Sequence, residues 1–466
     1  MQDSKVDWLM QASVMGDIYS GSYCNIAATH GDEDEALLGS RPIEIVEPSF
    51  VPDPQSPSSE KSYILGYDDF WCNSLLDTHL HKRGWVLQER LLAPRTIHFG
   101  QEQFFFECRE LKACEAYPDG IPEQLSNWRT KAWRKGERVF SPKFRNLKSS
   151  NPTSWLNWIS RRPRMTDDIH FEAYDCWTTM VQRYMDCGLS FAEDKLIAIS
   201  GLASKIGAAT GERYLAGLWD NSSLPQALLW YVPTKFQADG LPSRRTASLN
   251  KAGYRAPSWS WASIDARITW NWPRGSNEHL AIITETDIRS SGAFGAGAIH
   301  SARMHVQAPL LSVNLRVKPS DPGGTLREDM GYTIQLKHPA VSTTDQSTIT
   351  RPSVVVSQSS TQRPPWEDEQ RKAPPEMEAI VYLDTAMGVY EMDAWLLPLC
   401  LNWAGRSGGM TVPVAGLLLK EGLTGETQVF ERIGIFGLDE DQAGSLCAFE
   451  GVTSPQRLRK ESIVIV

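Results

Sequence analysis

The spacing of apolar residues changes period partway along this chain, and that change constrains the fold more than any single motif does. From about Ser154 to Trp230 the apolar positions recur at helical intervals. In DCWTTMVQRYMDCGLSFAEDKLIAISGLASKIG, Trp177, Val181 and Tyr184 share one stripe and Leu196, Ile199 and Leu202 another, with Gly188 and Ser190 as a break. Two packed helices are predicted. From about Ile282 onward the sequence turns to short β-like runs such as HVQAPLLSVNLRV, AIVYLDT and RIGIFGL. Helical and β-rich stretches that follow one another imply an α+β (mixed) chain. Its 466 residues exceed what one hydrophobic core usually organises, so two or three domains are expected.

Composition excludes several function classes. Hydrophobic residues make up 41% and charged residues 22%, as in a soluble globular protein, and no apolar run approaches the ~20 residues that span a bilayer. MQDSKVDWLMQ has neither an apolar signal core nor an Arg-rich amphipathic pattern, so a cytoplasmic location is expected. The eight cysteines lack metal-knuckle spacing and read as reduced thiols. A formal charge of -9 argues against a chain built to coat nucleic acid. The local exception is RTKAWRKGERVFSPKFRNLK at 129 to 148, where cations interleave with Trp133, Phe140 and Phe144. Such a stretch can clamp single strands, but a solvated face is the simpler reading. No GxxxxGK[ST], GxGxxG after a strand, or HExxH is present, so no cofactor or metal is expected.

RGWVLQERLLAPRTIHFG, residues 83 to 100, is the densest motif. Gly84 allows a tight entry, Leu87, Leu91 and Leu92 recur at helical spacing, Pro94 stops the helix, and Thr96 to Phe99 alternate as a strand. FFFECRE is a second strand. Trp85 and Leu91 are expected to be largely buried, with Arg83 or Arg95 paired to a carboxylate. At the start, Asp3 or Ser4 caps a helix that carries Leu9, Ala12, Met15 and Tyr19 on one face, and YCNIAATHG reads as a short strand.

Glu89, after Gln88 and between Arg83 and Arg95, is the leading acid for chemistry, since guanidiniums around a carboxylate can orient a ribose or phosphate. An internal salt bridge is the competing reading. Cys108 near His98 suggests a thiol nucleophile, against which stands burial on an apolar strand. Asp175, Glu193 and Asp194 carry no metal-ligand spacing; the last two read as a cap on a helix beginning at Lys195. Trp259 and Trp261 in RAPSWSWAS form either a recognition platform or, the favoured reading, a core wedge.

QDSKVDWLMQASVMGDIYSGSYCNIAATH, RGWVLQERLLAPRTIHFGQEQFFFEC, DKLIAISGLA, RYLAGLW, LLW and RAPSWSWAS occur in the order seen in fungal heterokaryon incompatibility (HET) domain proteins, which the chain resembles. The likeness covers nearly all of it outside the Pro/Ser-rich loops, and the RGW and PSWSW blocks are the most specific. The resemblance implies a role in non-self recognition, in which protein contacts promote cell death. It implies unidentified protein partners and a possible homo-oligomer, with no membrane or nucleic acid. It also implies a distant likeness to TIR domains, some of which cleave NAD, so an NAD-cleaving enzyme with Glu89 or Asp7 as its acid is the alternative, beside an inactive fragment of a longer protein. Asp7 stands where many family members carry Glu, and Trp8 where Arg is common.

In the family an Ile-Asp, Cys-Ile-Gln signature and early strands precede the helix that begins here at Gln2. On that basis 1–115 is expected to be the C-terminal half of a TIR-like α/β HET domain and 116–153 a basic linker. A helical region over 154–265 ends in RAPSWSWAS, and 266–466 is β-rich with a disordered insertion at about 342–375. An unpaired sheet edge at Tyr23 to Ala28 would make residues 1 to about 110 less protected from hydrogen exchange than Leu196 to Leu202.

Overall fold

A computed structural model describes residues 5–30, 49–52, 62–65, 70–108, 110–122, 167–233, 254–270, 278–290, 298–317, 332–337, 376–384, 391–404, 411–424 and 427–466. The Asp3 or Ser4 cap, the 129–148 stretch and the 342–375 insertion lie outside these residues. The chain divides into two compact units. The first comprises Met1–Phe236, Ser243–Trp270 and Thr286–Arg303, the second Gln237–Pro242, Asn271–Glu285 and Met304–Val466. Helices and several sheets together make the fold mixed α+β.

In the first unit, α1 (Lys5–Gly21) leads into β1 (Asn25–Ala28), and β2 (Ser49–Pro52) pairs with β3 (Ser62–Leu65). A π-helical turn at Cys72–Leu76 and a 3-10 turn at Leu80–Lys82 precede α2 (Gly84–Leu92). Arg83 is extended at φ -88, ψ 131 and so sets the start of α2, while Pro94 forbids its continuation beyond Ala93. Next come β4 (Arg95–Phe99), β5 (Phe104–Cys108) and β6 (Lys112–Cys114), in a sheet of order β1-β4-β5-β6. The β1–β4 ladder is parallel and the other two are antiparallel. These four strands give no support to the TIR-like layout that the resemblance implies. Phe105 and Cys114 of this sheet share a core with Trp71, Leu75, Leu76 and Ile121.

Then α3 (Asp167–Tyr184) packs against α4 (Ser200–Thr210), as the two stripes predict. Gly211, left-handed at φ 75, ends α4 and donates its N–H to Gly207 O at 2.8 Å. The helical character expected across 154–265 fails next: RYLAGLW folds as a hairpin of β7 (Arg213–Leu215) and β8 (Leu218–Asp220). Ala216 and Gly217 at its tip have φ 47 and 106, the pair of left-handed residues that a two-residue hairpin needs to match strand twist. A short α5 (Leu224–Ala227) precedes β9 (Trp230–Tyr231), which pairs with β10 (Thr269–Trp270).

The remaining strands are β11 (Ile282–Ser290), β12 (Ile299–Pro309), β13 (Leu311–Val317), β14 (Tyr332–Leu336), β15 (Glu376–Leu383), β16 (Glu391–Ala404), β17 (Thr411–Thr424), β18 (Thr427–Leu438) and β19 (Lys460–Ile465). They form one sheet in the order β11-β12-β19-β18-β15-β14-β13-β16-β17. Because β17 also pairs with β18, the six strands from β18 round to β17 close into an antiparallel barrel, which leaves those edges covered. Val313, Leu315, Ile334, Leu396, Val414, Leu418 and Phe436 fill its core with Ala443 and Leu446 of α6 (Glu440–Phe449). Asp439 starts α6 with a reciprocal capping box to Gln442. Within this unit Asp384 and Arg432, 1% and 0% exposed, form a bidentate ion pair at 3.0 Å.

Candidate functional site

The sequence blocks of the first unit meet around α2. Gly84 donates its N–H to Gly188 O at 2.8 Å, and Gly188 donates to Lys82 O at 2.7 Å, which fastens the start of α2 beside the end of α3. A Cβ at Gly84 would lie 2.6 Å from Leu189 Cδ2, so a larger residue would force the two apart. The next residue, Trp85, is half-buried, stands edge-on to Trp8 at 6.2 Å and donates its indole N–H to Asp194 Oδ2 at 3.3 Å. Gln88, 1% exposed, accepts the N–H of Gly201 at 2.7 Å and thereby caps the first turn of α4 from a distant helix. A Cβ added to Gly16 would lie 2.8 Å from Gly201 Cα, so two glycines let α1 and α4 cross at close range. Replacing Gln88 with alanine removes the acceptor of that half-buried N–H and is expected to cost about 1–2 kcal/mol, read as faster exchange at Gly201 and its neighbours in α4.

Glu89 faces α1. Burial raises its carboxyl above the usual range, against the hydrogen bond from Tyr19 and the nearby charge of Arg83, which lower it. The Tyr19 hydroxyl is pushed up to about 12, first by burial and then by Glu89. This is an acid with a partly desolvated environment, a donor and a cation, which suits either proton transfer or a structural lock. Asp7 does not join it. Tyr19 follows Asp7 by twelve positions on α1, a rise of about 18 Å at 1.5 Å per residue.

Arg83 has the Glu89 charge near it, but neither Arg83 nor Arg95 makes the buried ion pair of this region. Arg83 is exposed, and Arg95 reaches Tyr23, with its guanidinium 5.1 Å from the ring centre and Nη1 donating to the backbone O at 3.3 Å. The buried ion pair is Arg90 with Glu107, closed by Nη2 to Oε2 at 2.9 Å and by a second bond from Nε to Oε1. His98 Nε2 adds a third contact to Glu107 Oε1 at 3.0 Å. Burial raises the Glu107 carboxyl, but Arg90 and His98 outweigh it and hold the group well below the usual range. Leu91 is half-buried like Trp85, so neither apolar side chain is fully enclosed.

Cys108 and His98 form no thiol–imidazole pair. Cys108 is opposite Arg95 in the β4–β5 ladder and His98 is opposite Phe105, so the two point to opposite faces of the sheet. Asp175 lies on α3, and Glu193 and Asp194 lie in a 3-10 turn, Ala192–Lys195. Asp194 holds Trp85 rather than capping a helix at Lys195, because α4 begins only at Ser200. Among the described residues no group of three His, Cys, Asp or Glu is placed to hold a metal.

RAPSWSWAS forms a second knot. Trp259 and Trp261 are both 0% exposed, which makes them core. Trp261 and Trp177 both donate indole N–H groups to Gly217 O, at 2.8 and 2.9 Å, and Ser260 Oγ donates to Ala216 O at 2.5 Å. The motif therefore clamps the β7–β8 hairpin tip. Lys195 of the DKLIAISGLA block donates to Ile264 O at 2.6 Å and Asp265 Oδ1 at 2.9 Å, beside Arg255. Burial, then Arg255, brings the Lys195 amine down to about 8.

The sequence reading passed over Gln88 as a cap, Arg90 and Glu107. A signal existed for the last two: Glu107 interrupts the apolar FFFEC strand at a core-facing position, where an acid is held only with a partner.

Residues 1–89 match the family model described as Heterokaryon incompatibility protein (HET), so this stretch is HET-domain sequence and its role is related to heterokaryon incompatibility. The match spans α1, β1 and α2 as far as Glu89, the helices on which the later blocks pack. No curated protein and no solved structure matches the chain. No helix among the described residues is long and apolar enough to cross a membrane.

Proposed function

We propose that this chain is a fungal, cytoplasmic incompatibility protein that promotes cell death through protein contacts. The HET match supports the class of role, and the surface of α1 supports the mode. Met10, Val14 and Ile18, at 58%, 43% and 54% exposure, recur every four residues and so form one apolar stripe on a helix whose other side packs on α2 and α4. Exposed apolar rows of this kind serve protein recognition.

The test is expression in fungal cells of the native chain and of Met10→Ser/Val14→Ser/Ile18→Ser. These side chains are largely in water, so each change should alter stability by only about 0.5 kcal/mol while cell death is lost. Undiminished killing by the triple variant removes the α1 surface from the mechanism.

The second reading, NAD cleavage, is favoured by Glu89 with its raised carboxyl and its Tyr19 and Arg83 neighbours. Purified protein incubated with NAD is expected to release no nicotinamide above a blank. Release that disappears in Glu89→Gln would establish the enzyme reading in place of the contact reading.

A further inference from the structure

Beneath α2 two imidazoles lie in contact, shut away from water. His81 and His98 are 6% and 0% exposed, with ring centres 5.2 Å apart. Their hydrogen bonds assign the protons. Thr78 Oγ1 donates to Leu75 O at 2.7 Å, so toward His81 Nδ1, at 3.0 Å, it is an acceptor and the ring nitrogen carries the hydrogen. His98 Nε2 faces the ionised Glu107, so it too is the donor. Each neutral ring is left with one bare nitrogen, His81 Nε2 and His98 Nδ1, buried and without a partner.

A proton added to either nitrogen becomes a buried N–H with no acceptor, and the charge it brings is only partly offset by Glu107, which Arg90 already engages. The charged groups facing the pair are Arg90 from α2, Arg183 from α3 and Glu107 from β5. Glu107 is already engaged by Arg90, while Arg183 donates to Leu76 O at 2.7 Å and has Asp186 beside it. No free anion among these groups is available to offset a charged imidazole.

We propose that His81 and His98 form a proton-operated latch: while both rings are neutral they hold the turn before α2 against β4, and protonation of either one opens that joint, releasing α2 with its Trp85, Gln88 and Glu89 contacts. The direction follows from linkage. Burial keeps both rings below their ordinary value, helped by Arg90 and opposed by Glu107, whereas the opened segment takes up protons near 6.5. The closed state is therefore fully favoured above that pH, and loses ground as pH falls toward the folded-state values, by up to about tenfold per ring per pH unit.

The test compares hydrogen exchange at about pH 7.5 and 5.5 in native chain and in His81→Asn/His98→Gln, whose amides can still donate to Thr78 and Glu107 but do not titrate. After correction for intrinsic exchange, protection of Gly84–Leu92 and Arg95–Phe99 should fall at least about tenfold more than that of the barrel strands β16 and β17 in the native chain, and by less than about twofold more in the variant. Equal loss in barrel and joint, or loss that persists in the variant, overturns the latch. If the double variant does not fold, the ring resonances of the native chain decide: the latch requires His81 and His98 to titrate only as α2 loses protection. A ring that titrates near 6.5 with α2 still protected refutes it.

Discussion

Glu107→Ala is expected to destabilise the α2–sheet joint by about 3–5 kcal/mol, because it removes the carboxylate that neutralises the buried Arg90 guanidinium. Arg90 and Glu107 have side-chain exposures of 6% and 8%, and His98, which also touches Glu107, is fully buried. The matching Arg90→Met change should behave differently with pH. Without its cation Glu107 would be a buried carboxylate that is relieved by protonation, so that variant should lose less at pH 5 than at pH 7, on the order of one kcal/mol per unit of pKa rise. Replacing both residues with leucine should recover much of the loss, since the attraction in a buried pair is largely offset by desolvation. The measurement is exchange protection of the α2 amides, which should fall by about 100-fold or more in Glu107→Ala. A fall below about tenfold would mean that water reaches Arg90 and that the pair is an ordinary surface bridge.

In the native chain the same pair has an acid limit of its own. The Glu107 carboxyl is depressed, so its stabilisation is present above the ordinary carboxylate value and is lost as pH falls through the folded-state value. That window lies below the histidine window of the latch. Loss of α2 protection that begins between about pH 6.5 and 5 therefore belongs to the imidazoles, and loss that begins below about 4.5 to the carboxylate.

What the sequence displayed and what it hid divide along the range of the interactions. The α2–Pro94–β4 joint was legible because its determinants lie within eighteen residues: leucines at helical spacing, a proline that ends the helix and alternation after it. The β-rich character beyond residue 266 was legible for the same reason, as period-two patterning, but barrel closure was not, since β17 pairing with β18 leaves no mark in either strand alone. RYLAGLW falls inside the stretch expected to be helical, yet Tyr214 and Trp219, five positions apart, would point about 140° apart on a helix and are instead direct partners across the β7–β8 hairpin. Ala216 and Gly217 decide the matter with left-handed backbone, and only the Gly announces it. Partners were the least legible. Glu89 finds Tyr19 seventy positions away rather than its neighbour Arg95, and Gln88 caps a helix that starts more than a hundred residues later.

Trp261→Ala is the second large expected effect, about 3–5 kcal/mol, because it removes a wholly buried indole from the centre of the first unit and leaves a cavity. Hydrogen bonding makes the smaller substitutions more informative. Gly217 O sits in the hairpin tip and accepts from both Trp261 and Trp177. Trp261→Phe keeps most of the apolar volume and leaves the carbonyl one donor, so it should cost about 1–2 kcal/mol, and Trp177→Phe about the same. With both changed, the carbonyl has neither indole, and an acceptor left unsatisfied in a dry core costs about 1–3 kcal/mol that neither single variant shows. The double variant should therefore be worse than the sum of the singles by that amount, measured by a double-mutant cycle on unfolding of the first unit. Simple additivity would mean that the two indoles act only as packing volume, and that RAPSWSWAS holds the β7–β8 turn through Ser260 and shape rather than through the shared carbonyl.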